Sequence, residues 1–161
     1  MFILLSCKDY DSNQQSVKKD DFFHRFEISY SNGWTPGFTF LVDSTRVFFS
    51  PKTTDTVYYG VVPDSLMSAI QTTISSIQND SSIKSNKINC SDCPLMSMEA
   101  VAKGKVIKLF QAGEIAPAVG KLIAQLKQFL QKSNLHFIPS TMIFETKYDA
   151  VEAPPKILKY K

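Results

Sequence analysis

The sequence predicts an α+β fold, a small antiparallel sheet packed with two main helices. Three observations predict it. Apolar and polar residues alternate in the first half, as Phe26, Ile28 and Tyr30 do against Glu27, Ser29 and Ser31. Apolar residues then recur twice at helical spacing, and runs rich in Gly, Pro and Asn separate the two kinds of segment. With 161 residues, of which 43% are hydrophobic and 20% charged, the chain suits one folded core.

The first strand ends at Asn32-Gly33, and the Trp34-Thr35-Pro36-Gly37 stretch reads as a turn. Phe38, Phe40 and Val42 resume the alternation up to Asp43-Ser44-Thr45, after which 47–49 pairs back as a hairpin. A fourth strand is expected over 57–61. Pro63-Asp64 opens a helix in which Leu66, Ile70, Ile74 and Ile77 share a face and Asp64 is placed to cap. A strand over 105–110 follows. Pro117 then opens a second helix, whose stripe is Val119, Leu122, Ile123, Leu126, Phe129 and Leu130. A last strand over 141–146 returns to the sheet, and the Pro154-Pro155 tail leaves it. The two strand-helix units are offset by 52 residues, Tyr58, Leu66, Ile70, Ile74 and Ile77 against Phe110, Ala118, Leu122, Leu126 and Phe129, the pattern of a diverged repeat.

The formal charge of +3 comes from 18 Lys and Arg against 15 Asp and Glu, and only Arg25 and Arg46 are arginines. A nucleic-acid surface leans on arginine forks and a basic stripe, and neither is present, so no nucleic-acid partner is expected. Met1 to Leu5 is apolar; Ser6 and Cys7 follow, and the sequence turns polar at Lys8. Leu4-Leu5-Ser6-Cys7 resembles a bacterial lipobox, in which the cysteine receives the lipid. The resemblance implies lipidation at Cys7 and attachment to the cell envelope, at the outer membrane. The apolar run is shorter than a secretory signal and lacks a leading cation, so a start codon upstream of Met1 is implied. Residues 1–7 are therefore expected to be a signal remnant, 8–21 a polar tether of roughly 20 Å root-mean-square reach, and 22–161 a single domain.

Tyr30-Ser31-Asn32-Gly33-Trp34 followed by Gly37, an aromatic hairpin, a strand and a helix resembles domains of unknown function in Bacteroidota lipoproteins. That likeness covers Glu27 to Ile77 and implies architecture and location rather than an activity. It departs from some members in having no cysteine near the glycine-rich turn.

Sites of chemistry are sparse. Cys90-Ser91-Asp92-Cys93 is a C-x-x-C, but a zinc ribbon needs a second pair, and His24 and His136 lie far from it in sequence. A local disulfide is expected instead. No nucleophile elbow, H-E-x-x-H or phosphate loop occurs, so no catalytic residue, metal or cofactor is expected. The first half is rich in aromatic residues, and neighbours in a strand face opposite ways. Phe48-Phe49 and Tyr58-Tyr59 therefore leave an aromatic surface unless both faces are covered, and Trp34, Phe49 and Tyr59 are the candidates for a partner surface. Lys103, Lys105 and Lys108 suit an edge strand guarded by charge. These features point to a membrane-anchored binding or assembly module with an envelope partner. The alternative is a small envelope enzyme or thiol-redox protein using the C-x-x-C pair.

The two cysteine roles predict different chemistry. Purified protein with a structural disulfide carries no free thiol at Cys90 or Cys93, whereas a redox pair shows one thiolate alkylated rapidly near neutral pH. Thiol alkylation read by mass spectrometry across a pH series distinguishes them.

Overall fold

The computed structural model describes residues 23–32, 37–51, 56–86, 92–139 and 142–146. The element order is β1 (Arg25–Ser31), β2 (Phe38–Asp43), β3 (Val47–Pro51), β4 (Thr56–Val61), α1 (Asp64–Asn79), β5 (Leu95–Ala102), β6 (Lys105–Ala112), α2 (Pro117–Lys132) and β7 (His136–Pro139). The strands form one seven-stranded sheet in the order β6-β5-β1-β2-β3-β4-β7, antiparallel throughout. The predicted α+β class holds, with a larger sheet than the sequence indicated.

Two helical connections build this order. The chain leaves β4 near one edge, passes along α1 and enters β5 near the other; from β6 it returns through α2 to β7. Both helices consequently lie over one face and touch each other. That face presents Phe26, Ile28, Phe40, Val42, Phe48, Met96, Met98 and Leu109, and they pack with Leu66, Met67, Ile70 and Ile74 of α1 and Val119, Leu122, Ile123 and Leu126 of α2. The α2 stripe predicted from spacing is buried in its first four members, with Phe129 and Leu130 at its margin. Pro117 stands in the first turn of α2, where its missing N–H has no partner to lose.

Aromatic geometry fixes the β2–β3–β4 side. Phe40 and Phe48 stack at 5.2 Å, and Phe129 of α2 meets the Phe48 ring edge-on at 5.2 Å. Gly60 lies opposite Phe48 in the ladder, and a Cβ there would come within 2.7 Å of the Phe48 ring. Glycine is needed because the ring occupies the space a side chain would fill.

Two local expectations change, and two strands are present where none was expected. Asp64 does not cap α1: the cap position is Pro63 without a side-chain hydrogen bond, and Asp64 instead pairs with Arg46. Leu95–Ala102, to which the sequence reading gave no element, is the strand β5, held between β1 and β6. Ala and Glu are depleted in strands, and ladder bonds on both sides override that preference. The short strand His136–Pro139 was not anticipated either, and it pairs with β4. Among the described residues of the expected final strand, 142–146 join no ladder.

The β6 edge is partly sealed. Asn86 donates its backbone N–H to the Phe110 carbonyl at 2.9 Å and accepts from the Ala112 N–H at 2.6 Å, while Ser85 Oγ accepts from the Phe110 N–H. The β5–β6 turn places Lys103 and Gly104 at positive φ, as a tight two-residue hairpin requires.

Leu126 is fully buried between α2 and the sheet, and Leu126→Ala is expected to cost about 2 to 5 kcal/mol in chemical denaturation. Gly60→Ala is expected to cost about 1 to 3 kcal/mol by forcing the Phe48 ring out of its stack, read as a lowered midpoint at unchanged slope.

Candidate functional site: the sheet face opposite the helices

The second face of the sheet carries the side chains that alternate with the core. One residue from each strand lies in a single row across it: Lys108, Glu99, Glu27, Leu41, Phe49, Tyr59 and His136, in the order of the strands. The row is charged over β6, β5 and β1 and becomes apolar and aromatic from β2 onward. No helix residue belongs to it.

Glu27 is the centre of the charged half. It is fully buried, and Arg25, two residues earlier on the same face, donates to its Oε2 at 2.6 Å. Its other oxygen, Oε1, accepts two bonds from Thr146: one from the backbone N–H at 2.6 Å and one from the hydroxyl at 2.8 Å. The Thr146 hydroxyl lies 2.8 Å from Ser29 Oγ, which is 2.7 Å from Thr39 Oγ1 on the neighbouring strand. Among the described residues no buried side-chain nitrogen or oxygen lacks a partner. Glu99 faces Glu27 directly across β1–β5, a like-charge arrangement that destabilises a sheet unless each charge is compensated. Lys108 supplies the second compensation, with Nζ at 2.7 Å from Glu99.

The segment 142–146 runs over this face as a strap. Its burial alternates: Ile143 and Glu145 are exposed, whereas Phe144 and Thr146 are 2% exposed. Period-two burial is what a chain laid on a surface produces when successive side chains turn in and out. A cavity of about 200 Å³ lies beside Thr146, lined also by Ser97, Glu99, Lys108, Phe110 and Ser85.

Phe49 and Tyr59, both singled out from sequence, are cross-strand partners in the apolar half, each partly buried. The Tyr59 ring lies 5.4 Å from that of His136. Their neighbours Phe48 and Tyr58 point to the helix-covered face, as alternation requires. Trp34, Cys7 and Cys90 lie outside the described residues. Cys93 is disulfide-bonded, just ahead of β5, and its partner lies outside the described residues.

Sequence reasoning missed Glu27, Ser29, Thr39 and Thr146, because it assigned the polar side of β1 to solvent. One signal was available: Arg25 and Glu27, opposite charges two apart in a strand, share a face and can pair. Among the described residues no three His, Cys, Asp or Glu side chains gather as a metal would need, and no helix is long and apolar enough to cross a membrane. A larger depression of about 380 Å³ lies between the first turn of α1 and the end of α2, at Leu66, Gln125, Phe129 and Lys132. Among the described residues, Lys132 is the one ionisable side chain lining it.

No protein-family model, no curated protein and no solved structure matches the chain.

The two carboxylates on this face should respond differently to truncation. Glu27→Ala leaves Arg25 and the Thr146 donors without their buried acceptor and is expected to cost about 3 kcal/mol or more. Glu99→Ala removes a pair whose lysine is largely exposed and should cost less than about 1 kcal/mol. Denaturation midpoints of the two variants, measured together, check the ordering.

Proposed function

We propose that the chain is an envelope lipoprotein, anchored to the outer membrane through Cys7, whose domain acts as a binding or assembly module. The observation that carries this reading is the apolar half of the row, Leu41, Phe49 and Tyr59. Three adjacent strands there present partly open side chains on the face away from the helices. Val61, 71% exposed next to it, extends the apolar area. Contiguous apolar and aromatic surface beside charged residues is what a protein partner covers on binding. Trp34, which lies between β1 and β2 in sequence, is proposed as a further member of this partner surface.

Other features support the location. The Leu4-Leu5-Ser6-Cys7 resemblance supplies the anchor, and the polar stretch 8–21 supplies a spacer that leaves the domain free to turn toward a partner. A disulfide at Cys93 suits an oxidising compartment, and Cys90 is its nearest cysteine in sequence. We also propose that β4–α1 and β6–α2 are diverged copies of one unit. Its support is the 52-residue offset, which sets Ile70 and Ile74 against Leu122 and Leu126, all buried on the same side of the sheet.

Expression of the native gene in the native cell should give a membrane-associated product, and Cys7→Ala should release it. Soluble wild-type protein with an unmodified Cys7 thiol would overturn the anchor. For the partner surface, the double variant Phe49→Ser, Tyr59→Ser should fold yet lose cross-linked envelope proteins that the wild type retains. An unchanged cross-linking pattern would overturn the role of this row.

A further inference from the structure

We propose that the depression between the first turn of α1 and the end of α2 is a binding site for a small amphipathic anion, an aromatic or alkyl body carrying one carboxylate. It lies on the helix side of the molecule and is independent of the aromatic row on the other face and of the membrane anchor.

Its shape suits a small molecule. The depression holds about 380 Å³, inside the range of roughly 300 to 1,000 Å³ common to ligand sites. Leu66 and Phe129 give it an apolar wall, and neither depends on a ligand for its position. Leu66 is 6% exposed within the core. The Phe129 ring is set edge-on against Phe48 at 5.2 Å and against Phe40 at 6.4 Å, so its orientation is fixed from below. Phe129 is half-buried and so keeps surface for a further apolar group.

The polar wall selects the charge. On α2, Gln125, Phe129 and Lys132 follow one another at helical spacing and line the same depression, joined by Gln128. Among the described residues Lys132 forms no ion pair, and the side chains of Gln125 and Gln128 make no hydrogen bond. Ser65 adds a hydroxyl from the α1 side, and no carboxylate lines the depression. Asp64, next to Ser65, is turned to Arg46 instead. One cation, two amides able to donate and no like-charged competitor fit one carboxylate laid beside an apolar body. Lys132 also stands in the last turn of α2, where a cation offsets the carbonyl end of the helix. That role alone would give the depression no preference between an anion and its neutral isostere, and the experiment turns on this difference.

The test titrates the ¹⁵N-labelled full chain with naphthalene-2-carboxylate and, separately, with naphthalene-2-carboxamide, which has the same shape without the charge. The carboxylate should shift the amide signals of Ser65, Gln128 and Lys132 with a Kd of about 1 mM or tighter, and the carboxamide should bind about threefold to fivefold more weakly. Lys132→Gln should bind the two alike. Gln128→Glu should prefer the carboxamide, because it sets a second carboxylate against the first. Both substituted side chains are exposed, so each variant should keep the wild-type spectrum away from the site. A carboxylate preference that survives in Lys132→Gln, or no shift with up to about 10 mM ligand, would overturn the proposal. Shifts gathered instead around Phe49 and Tyr59 would overturn this site alone and leave the partner surface to its own cross-linking test.

Discussion

A carboxylate buried in the middle of a sheet has to be answered by donors, and Glu27 sets that requirement for this molecule. It is fully buried on an interior strand, β1, where water cannot solvate it. Arg25 answers one oxygen and Thr146 the other. The strap over the sheet follows from this, since the Thr146 donors come from a part of the chain 119 residues away. Without a segment at that place, the face would carry an incompletely compensated charge next to the like charge of Glu99.

The two faces of the sheet are stabilised by different physics. On one, Phe26, Ile28, Phe40, Met98 and their neighbours are removed from water by α1 and α2, a non-directional gain roughly proportional to apolar area. On the other, the closed half depends on hydrogen bonds and ion pairs of fixed geometry, and the rest is left half-covered. β1 belongs to both, with Phe26 and Ile28 in the apolar core and Glu27 and Ser29 in the polar network. A change in β1 is therefore felt on both sides, whereas one in β7 reaches only the margin.

How much of this was legible in the sequence depended on whether the deciding interaction was local. α1 and α2 were readable because an apolar stripe needs only neighbouring turns to define it, and the hairpin strands because alternation and turn residues are local too. Leu95–Ala102 was not readable, since it carries few β-branched or aromatic residues and its strand form is held by partners on both sides. The pairing of Phe49 with Tyr59 on a common face was half visible: alternation separated each from its neighbour, but only the register brought them together. The polar network was hidden for the same reason. Ser29 and Thr146 are ordinary surface residue types, and their burial arises from a contact spanning most of the chain.

The seal on β6 by Ser85 and Asn86 has a consequence for self-association. A sheet grows by adding strands at its edges, and it can polymerise only if both edges accept another chain. Here the Phe110–Ala112 stretch already spends its outward hydrogen bonds on the 83–86 loop, and the remainder of that strand presents Lys105 and Lys108. Strand addition along Phe110–Ala112 would therefore have to displace bonds that the chain already makes to itself.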